Sequence, residues 1–311
     1  MPTDFSASAA TEPTTYFAPG QPSADSLSVA SGSSNVVDRR VPRLPPLPTT
    51  NVWGLDFARV DMQQIIDRAD QIIARRGCEF FVTANLNYLM LAHQLPELAA
   101  VNHAADAIIA DGNPVVIRSR AEPTPLPCRV AGADMIVELA RLAADRGYRI
   151  FFLGAAPGVA AKAAAKLQSS FPNLEIAGVC APPFRKLTGD EHRELCHQIT
   201  ESRADILLVA FGQPKGEQWI YENYRKLRVP LSIQLGASFD FLAGTTTRAP
   251  ALWQAIGCEW LYRSLSEPRR LAPRYMRNIS FLGRCLLGDL KKYLAPRRAS
   301  VHAENRSRSQ H

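Results

Sequence analysis

The chain has 311 residues, of which 46% are hydrophobic, and a formal net charge of +7 at neutral pH. This length and composition are typical of one large globular domain with tails, and no apolar run approaches the ~18 residues that a membrane-spanning helix needs. The six cysteines are scattered without a CxxC pair. That spacing argues against a structural zinc site and a disulfide framework, so the sequence predicts no metal site.

The positive charge is concentrated in the C-terminal segment. From Arg248 onward there are thirteen Lys or Arg residues and four acidic ones, which leaves 23 basic and 25 acidic residues in the first 247. This asymmetry predicts that the C-terminal segment meets an anionic surface or substrate. The start of the chain lacks the basic segment and apolar core of a secretory signal, so we expect a cytoplasmic protein.

Residues 1–47 are rich in Ser, Thr, Ala and Pro and show no hydrophobic periodicity. Such a segment buries too little apolar surface to offset its chain entropy, so it is predicted to be a disordered tail. An α/β domain is predicted for residues 48–247. Its first strand is expected at residues 53–55, and Asp61 is expected to cap the helix that follows.

Two short apolar segments, 80–82 and 107–110, are predicted to be buried strands. If they are parallel neighbours, Thr83, Asn85 and Asp111 emerge at the same edge, where open α/β sheets bind their ligands. A carboxylate beside a glycine at the rim of such a crevice is a candidate general base. The alternative is that Asp111 and Asn85 only cap the helices beside them.

Strands and helices alternate through the predicted domain, with no hairpin signal. This pattern predicts a mostly parallel, Rossmann-like sheet with helices on both faces. Three of its strands lead into glycine turns at Gly154, Gly212 and Gly236. Because a turn before a helix N-terminus favours anions, three on one edge indicate a nucleotide-type ligand. None of them forms a G-x-G-x-x-G fingerprint.

Residues 248–295 are predicted to form a helical appendage, followed by a basic disordered tail over 296–311. Basic side chains are interleaved there with Trp, Tyr, Leu and Phe. This mixture suits the interface of an anionic membrane, although a solvated helix face or a dimer contact has the same pattern. No nucleic-acid-reading motif is present, so nucleic acid is not an expected partner.

Seven segments occur in a fixed order: TxNxxxxxxA, ADG, RVAGAD, FFLGAAPGV, LLVAFGQPKGEQWI, GASFDFLAG and RAPALWQAIGCEWLYRSLSEPRRL. Together they resemble the WecG/TagA/CpsF glycosyltransferases over about residues 52–287. Members of that family transfer a sugar from a UDP-sugar to a polyprenyl-diphosphate-linked sugar. They invert the anomeric carbon and work at the cytoplasmic face of the membrane, where they build surface polymers such as wall teichoic acid and exopolysaccharides.

The resemblance implies roles for individual residues. Asp111 matches the proposed catalytic base, with Thr83 and Asn85 beside it in the acceptor pocket. Arg129 matches an arginine near the diphosphate, and Asp240 falls in the motif associated with the nucleotide. The substrate-binding set further comprises residues of the glycine turns and their flanks: Gly154, Gly212, Gln213, Lys215, Glu217 and Gly236.

The resemblance also places Arg263, Arg269 and Arg270 in an appendage that reaches the membrane and closes the site. We therefore expect a peripheral protein on the inner face of the cytoplasmic membrane. Inversion by one displacement needs one base, together with cations or backbone donors for the departing UDP. Because the chain has no D-x-D motif, neither a metal nor another cofactor is expected. Arg129, Lys215 and helix N-termini would then stabilise the diphosphate.

One position departs from the family pattern, which reads G-x-P-K-Q-E where this chain has Gly216. Either Gln213 or Gln218 supplies the missing amide, or the donor is not N-acetylmannosamine. A nucleotide-sugar oxidoreductase or epimerase would show G-x-G-x-x-G after its first strand, which this chain lacks. A non-catalytic UDP-sugar-binding protein remains the other alternative. Homo-oligomerisation is left open.

Overall fold

The computed structural model describes residues 43–247, 249–250, 253, 262 and 268–294. Several predictions lie outside these residues. They are the tail up to residue 42, the first part of the appendage including Arg263, and the basic tail over 296–311. Of Arg269 and Arg270 the backbone is described, as part of a helix, but the side chains lie outside the description.

The described residues form eight strands. In chain order they are β1 Thr49–Val52, β2 Leu55–Ala58, β3 Glu79–Ala84, β4 Ala107–Ala110, β5 Arg149–Gly154, β6 Glu175–Cys180, β7 Ile206–Ala210 and β8 Leu231–Gln234. Six of them make one parallel sheet in the order β4-β3-β8-β7-β5-β6, and β1 and β2 pair separately. The predicted parallel sheet is confirmed.

The same residues contain ten helices. They are α1 Met62–Ala74, α2 Leu86–Gln94, α3 Leu98–Ala104, α4 Asn113–Ser119, α5 Gly132–Arg146, α6 Val159–Ser170, α7 Gly189–Glu201, α8 Lys215–Leu227, α9 Ser238–Leu242 and α10 Pro268–Leu294. Apolar side chains of α1, α5, α6 and α9 share one core with the sheet, and those of α2, α3, α7 and α8 share another. Because both faces are covered, β3 and β4 are buried at every residue, which explains their mostly apolar sequence.

The predicted first strand over residues 53–55 is wrong, as is the absence of hairpins. Trp53 and Gly54 instead form the turn of an antiparallel hairpin between β1 and β2. Both have positive φ, 49° and 84°, as a type I′ turn requires. The usual signal for this turn is Asn-Gly or Asp-Gly. Here Asn51 stands two residues earlier, and its Oδ1 accepts from Gly54 N at 3.0 Å.

The end of the predicted tail packs against the domain. Leu44 and Leu47 contact the core that contains α1, and the Arg68 guanidinium donates to Pro45 O at 2.9 Å. The last residues of the predicted tail, just before β1, are therefore packed against the domain.

Helix α10 lies against α2 through one side of its surface. Phe281 is buried there, with its ring centroid 5.3 Å from that of His93. Further along, Asp289 accepts from Trp53 Nε1 at 2.8 Å and from Arg118 Nε at 2.6 Å. These contacts anchor α10 to the hairpin turn and to α4. Among the described helices, α10 included, none combines the length and hydropathy that a membrane span requires.

Candidate active site

The carboxyl ends of β3 and β4 meet at one edge of the sheet, as predicted. The two strands are parallel, with Ala84 opposite Ala110, and Asp111 N donates to Ala84 O at 3.0 Å. Asn85 and Asp111 therefore follow directly paired residues. The structure brings them to the same edge as Thr83.

Asn85, one of the polar residues at this edge, caps a helix. Asn85 Oδ1 accepts from the backbone N–H groups of Asn87 and Tyr88 at 3.0 and 3.1 Å, which makes it the N-cap of α2. The N-cap of α4 is Gly112 rather than Asp111. The cap interpretation is therefore confirmed for Asn85, whereas Asp111 stands one residue before the N-cap of α4.

Two further segments converge on the Asp111 carboxylate. Val130 N donates to Ala110 O at 3.0 Å, which continues the edge of β4 and brings the half-buried Arg129 to this end of the sheet. A Cβ placed on Gly132 would lie 3.6 Å from Asp111 Oδ2 and 3.7 Å from Ser238 Oγ. The ADG, RVAGAD and GASFDF segments thus meet at one point.

Ser238 was not among the predicted site residues. It is buried at the start of α9, and its hydroxyl donates to Leu235 O at 2.8 Å. Asp240 of the same segment, predicted to serve the nucleotide, is half-buried, and its Oδ1 accepts from Thr245 Oγ1 at 3.2 Å. Its nearest described partner is therefore the turn that follows α9.

Thr83, Gln213 and Asn87 form a hydrogen-bonded chain across the crevice. Thr83 is buried, and its hydroxyl donates to Gln234 O at 2.9 Å. Gln213 Nε2 donates to Thr83 O at 3.0 Å, and Asn87 Nδ2 donates to Gln213 Oε1 at 3.2 Å. The Gln213 amide thus ties the turn after β7 to β3 and α2. Both ends of that amide are engaged within the protein.

The three predicted glycine turns lie side by side at the same edge, because β8, β7 and β5 are neighbours. Gly154, Gly212 and Gly236 all have positive φ, of 98°, 76° and 50°. At Gly154 a Cβ would also approach Ala210 O to 2.9 Å, so this position requires glycine. Lys215 follows the middle turn as the exposed first residue of α8.

Glu217 is a buried carboxyl group in the first turn of α8 and is 1% exposed. Burial raises the pKa of Glu217 to about 8. Its own backbone N–H, the Gln213 amide and the positive charge of Arg274 on α10 favour the charged form and offset only part of that effect. Among the described residues, no hydrogen bond of ordinary length and angle reaches either carboxyl oxygen.

The raised pKa of Glu217 predicts that the folding stability of the protein depends on pH. A folded-state pKa of about 8 is far above the ordinary ~4.3. The unfolded chain therefore ionises first, and the folded state loses stability as pH rises from ~4 to ~8. Glu217→Gln should therefore raise the free energy of unfolding by roughly 2–4 kcal/mol at pH 8.5 and change it little at pH 5.

Urea unfolding of both proteins at the two pH values measures this difference. Glu222→Gln is the matched control, because Glu222 is an exposed carboxylate on the same helix. A Glu217→Gln effect of equal size at both pH values would show that the carboxyl is ionised in the folded protein.

Comparison with known proteins adds two findings. A model of the Glycosyl transferase WecG/TagA/CpsF family matches residues 50–295. The chain is also 35% identical over 225 residues to the N-acetylglucosaminyldiphosphoundecaprenol N-acetyl-beta-D-mannosaminyltransferase of Bacillus spizizenii. That alignment covers 72% of this chain and 86% of the relative.

Proposed function

Because the chain belongs to the WecG/TagA/CpsF family of glycosyltransferases, we propose that it transfers a hexose or N-acetylhexosamine from a UDP-sugar to a polyprenyl-diphosphate-linked sugar. The acceptor class is taken from the name of the Bacillus relative, which acts on N-acetylglucosaminyldiphosphoundecaprenol. The observation that carries the proposal is the position of Asp111. Its carboxylate lies beside Gly132 at the carboxyl edge of the sheet, one residue before the N-cap of α4.

In the proposed reaction Asp111 accepts the proton of the acceptor hydroxyl. The acceptor oxygen then forms a bond to the anomeric carbon on the face opposite UDP, and the bond from that carbon to the diphosphate oxygen breaks. UDP leaves with the electron pair, and the configuration inverts. Arg129, Lys215 and the N-termini of α6 and α8 stabilise the charge on the leaving diphosphate.

Helix α10 carries an apolar surface opposite the side that packs on α2. Its exposed large side chains, which we call the outer face, are Met276, Ile279, Leu286, Leu287, Leu290, Tyr293 and Leu294. Arg277, Arg284 and Lys291, all exposed, follow one another at heptad spacing along one flank of this face. An apolar face bordered by a basic row suits an anionic membrane interface. We therefore propose that the protein is peripheral on the inner face of the cytoplasmic membrane.

The direct test of the proposed function is an assay of the purified chain with a panel of UDP-sugars and a short-chain lipid diphosphate bearing N-acetylglucosamine. UDP-N-acetylmannosamine is the first donor to test, in view of the Bacillus relative. We expect UDP release together with a heavier lipid product. Conversion of the donor without acceptor would indicate an epimerase or oxidoreductase. Tight UDP binding without turnover on any donor would indicate a non-catalytic binder.

Transfer is expected to persist in excess EDTA, at a rate within about twofold of the untreated enzyme. The reason is that Arg129, Lys215 and backbone donors replace a metal at the leaving diphosphate. The same assay with and without EDTA measures this. Loss of transfer that Mg²⁺ or Mn²⁺ restores would contradict the prediction.

A further inference from the structure

The side chain of Gln234 lies across the first turn of α8. Gln234 is the last residue of β8, between β3 and β7, and it is 1% exposed. A Cβ placed on Gly216 would overlap a terminal atom of the Gln234 amide and would lie 2.5 Å from Cδ and 3.0 Å from Cγ. Because nearly the whole Gln234 amide occupies that space, only glycine at position 216 leaves room for it.

The Gln234 amide is also bound to the turn that follows β7. In the orientation that satisfies both of its ends, its nitrogen donates to Val209 O at 2.7 Å and its oxygen accepts from Gly212 N at 3.1 Å. The backbone N–H of Gly212, a predicted anion donor, is therefore used inside the protein. One buried side chain thus fixes both the turn and the start of α8.

We propose that Gln234 is a positioning residue for donor binding and that Gly216 is the slot that admits its side chain. The proposal rests on the proposed function for the identity of the donor. The turn that Gln234 holds carries Gln213 and leads into Lys215, so a shift of the turn moves the residues that we place at the diphosphate. The family pattern has a Gln amide at position 216 of α8. In this protein an amide also lies beside position 216, but it belongs to Gln234 of β8.

This proposal predicts a coupling between the two positions that needs no ligand. Gln234→Ala and Gly216→Ala should each speed the hydrogen exchange of Gly212 N–H by about tenfold or more, because each frees the turn. In the double variant, Gly216→Ala should raise the exchange rate of Gly212 N–H less than about twofold beyond that of Gln234→Ala. The reason is that the Gln234 amide, with which the Cβ of the new alanine would clash, is already gone. Exchange is measured by NMR on the ligand-free full chain.

The matched control is Gly189→Ala. Gly189 is also in the first turn of a helix, α7, and a Cβ there would meet its nearest neighbour at 3.5 Å. This variant should leave the exchange of Gly212 unchanged. Unchanged exchange in Gln234→Ala, or independent effects of the two changes in the double variant, would overturn the proposal.

Calorimetry with UDP tests the consequence for the donor. Gln234→Ala should weaken UDP binding about tenfold, while kcat at saturating donor stays within about threefold of the wild-type value. A fall in kcat with unchanged UDP affinity would overturn the positioning role. If wild-type protein transfers no sugar but shows the expected exchange and UDP-binding pattern, the proposed function fails and the positioning role stands.

Discussion

Replacing Asp111 with Asn should lower kcat for sugar transfer roughly 10²- to 10⁴-fold, the usual contribution of a general base. Asn has nearly the same shape but accepts no proton from the acceptor hydroxyl. Because Asn keeps the size of Asp and one of its two acceptor oxygens, the substitution should leave folding and UDP affinity close to wild type. Steady-state rates with the short-chain lipid acceptor, together with calorimetry for UDP, separate these effects.

Two companion variants sharpen the Asp111 test. Asp145→Asn changes an exposed carboxylate of α5 and should leave kcat unchanged. Asp111→Glu keeps a carboxylate but moves it, so it should recover part of the lost activity. Near-normal kcat in a folded Asp111→Asn protein would remove Asp111 from the mechanism.

The second large effect is expected at the outer face of α10. Burying a leucine side chain contributes about 1.5–3 kcal/mol when complete, and burial in a membrane interface is partial. Leu287→Gln with Leu290→Gln should therefore weaken binding to anionic vesicles about tenfold or more. Neutralising Arg277, Arg284 and Lys291 together should weaken it about 100-fold at low salt, at about 1 kcal/mol per charge. The charge effect should shrink as salt rises.

Vesicle co-sedimentation measures both effects, with Phe184→Gln as the control. Phe184 is a large exposed apolar residue, 69% exposed, between β6 and α7. Each α10 variant should keep its activity on the short-chain acceptor, because the changes leave the packed side of the helix intact. Wild-type protein that ignores anionic vesicles would contradict the proposal. Dissociation of a dimer without loss of vesicle binding would identify the outer face as a contact between copies.

Local sequence was sufficient to predict how the edge of the sheet is assembled. The apolar segments before Thr83 and Asp111 are short and lie on both sides of a helical pattern, which fits parallel neighbours. The glycines after β5, β7 and β8 likewise indicate turns wherever the strands sit in the sheet. Parallel strands place all of these ends on one side, so their common position followed from the strand pattern.

Contacts between distant segments were not predictable in this way. The sequence marked Gly216 only as a departure from the family pattern and did not mark Gln234, because their fit depends on how α8 approaches β8. Trp53 and Asp289, which are joined by a hydrogen bond, are 236 positions apart. The Trp-Gly turn of the hairpin lacks the Asn-Gly or Asp-Gly sequence that usually indicates such a turn. Which distant side chain packs against a turn depends on the tertiary structure, and a local sequence pattern does not contain that information.

The anomeric configuration of the product tests the central claim most directly. A UDP-α-linked sugar donor and the short-chain lipid diphosphate bearing N-acetylglucosamine are incubated with the purified chain, and the new glycosidic linkage is assigned by NMR. One displacement with Asp111 as the only base predicts a β-linked product from the α-linked donor. An α-linked product would require two displacements or a different attack, and it would contradict the mechanism built on Asp111.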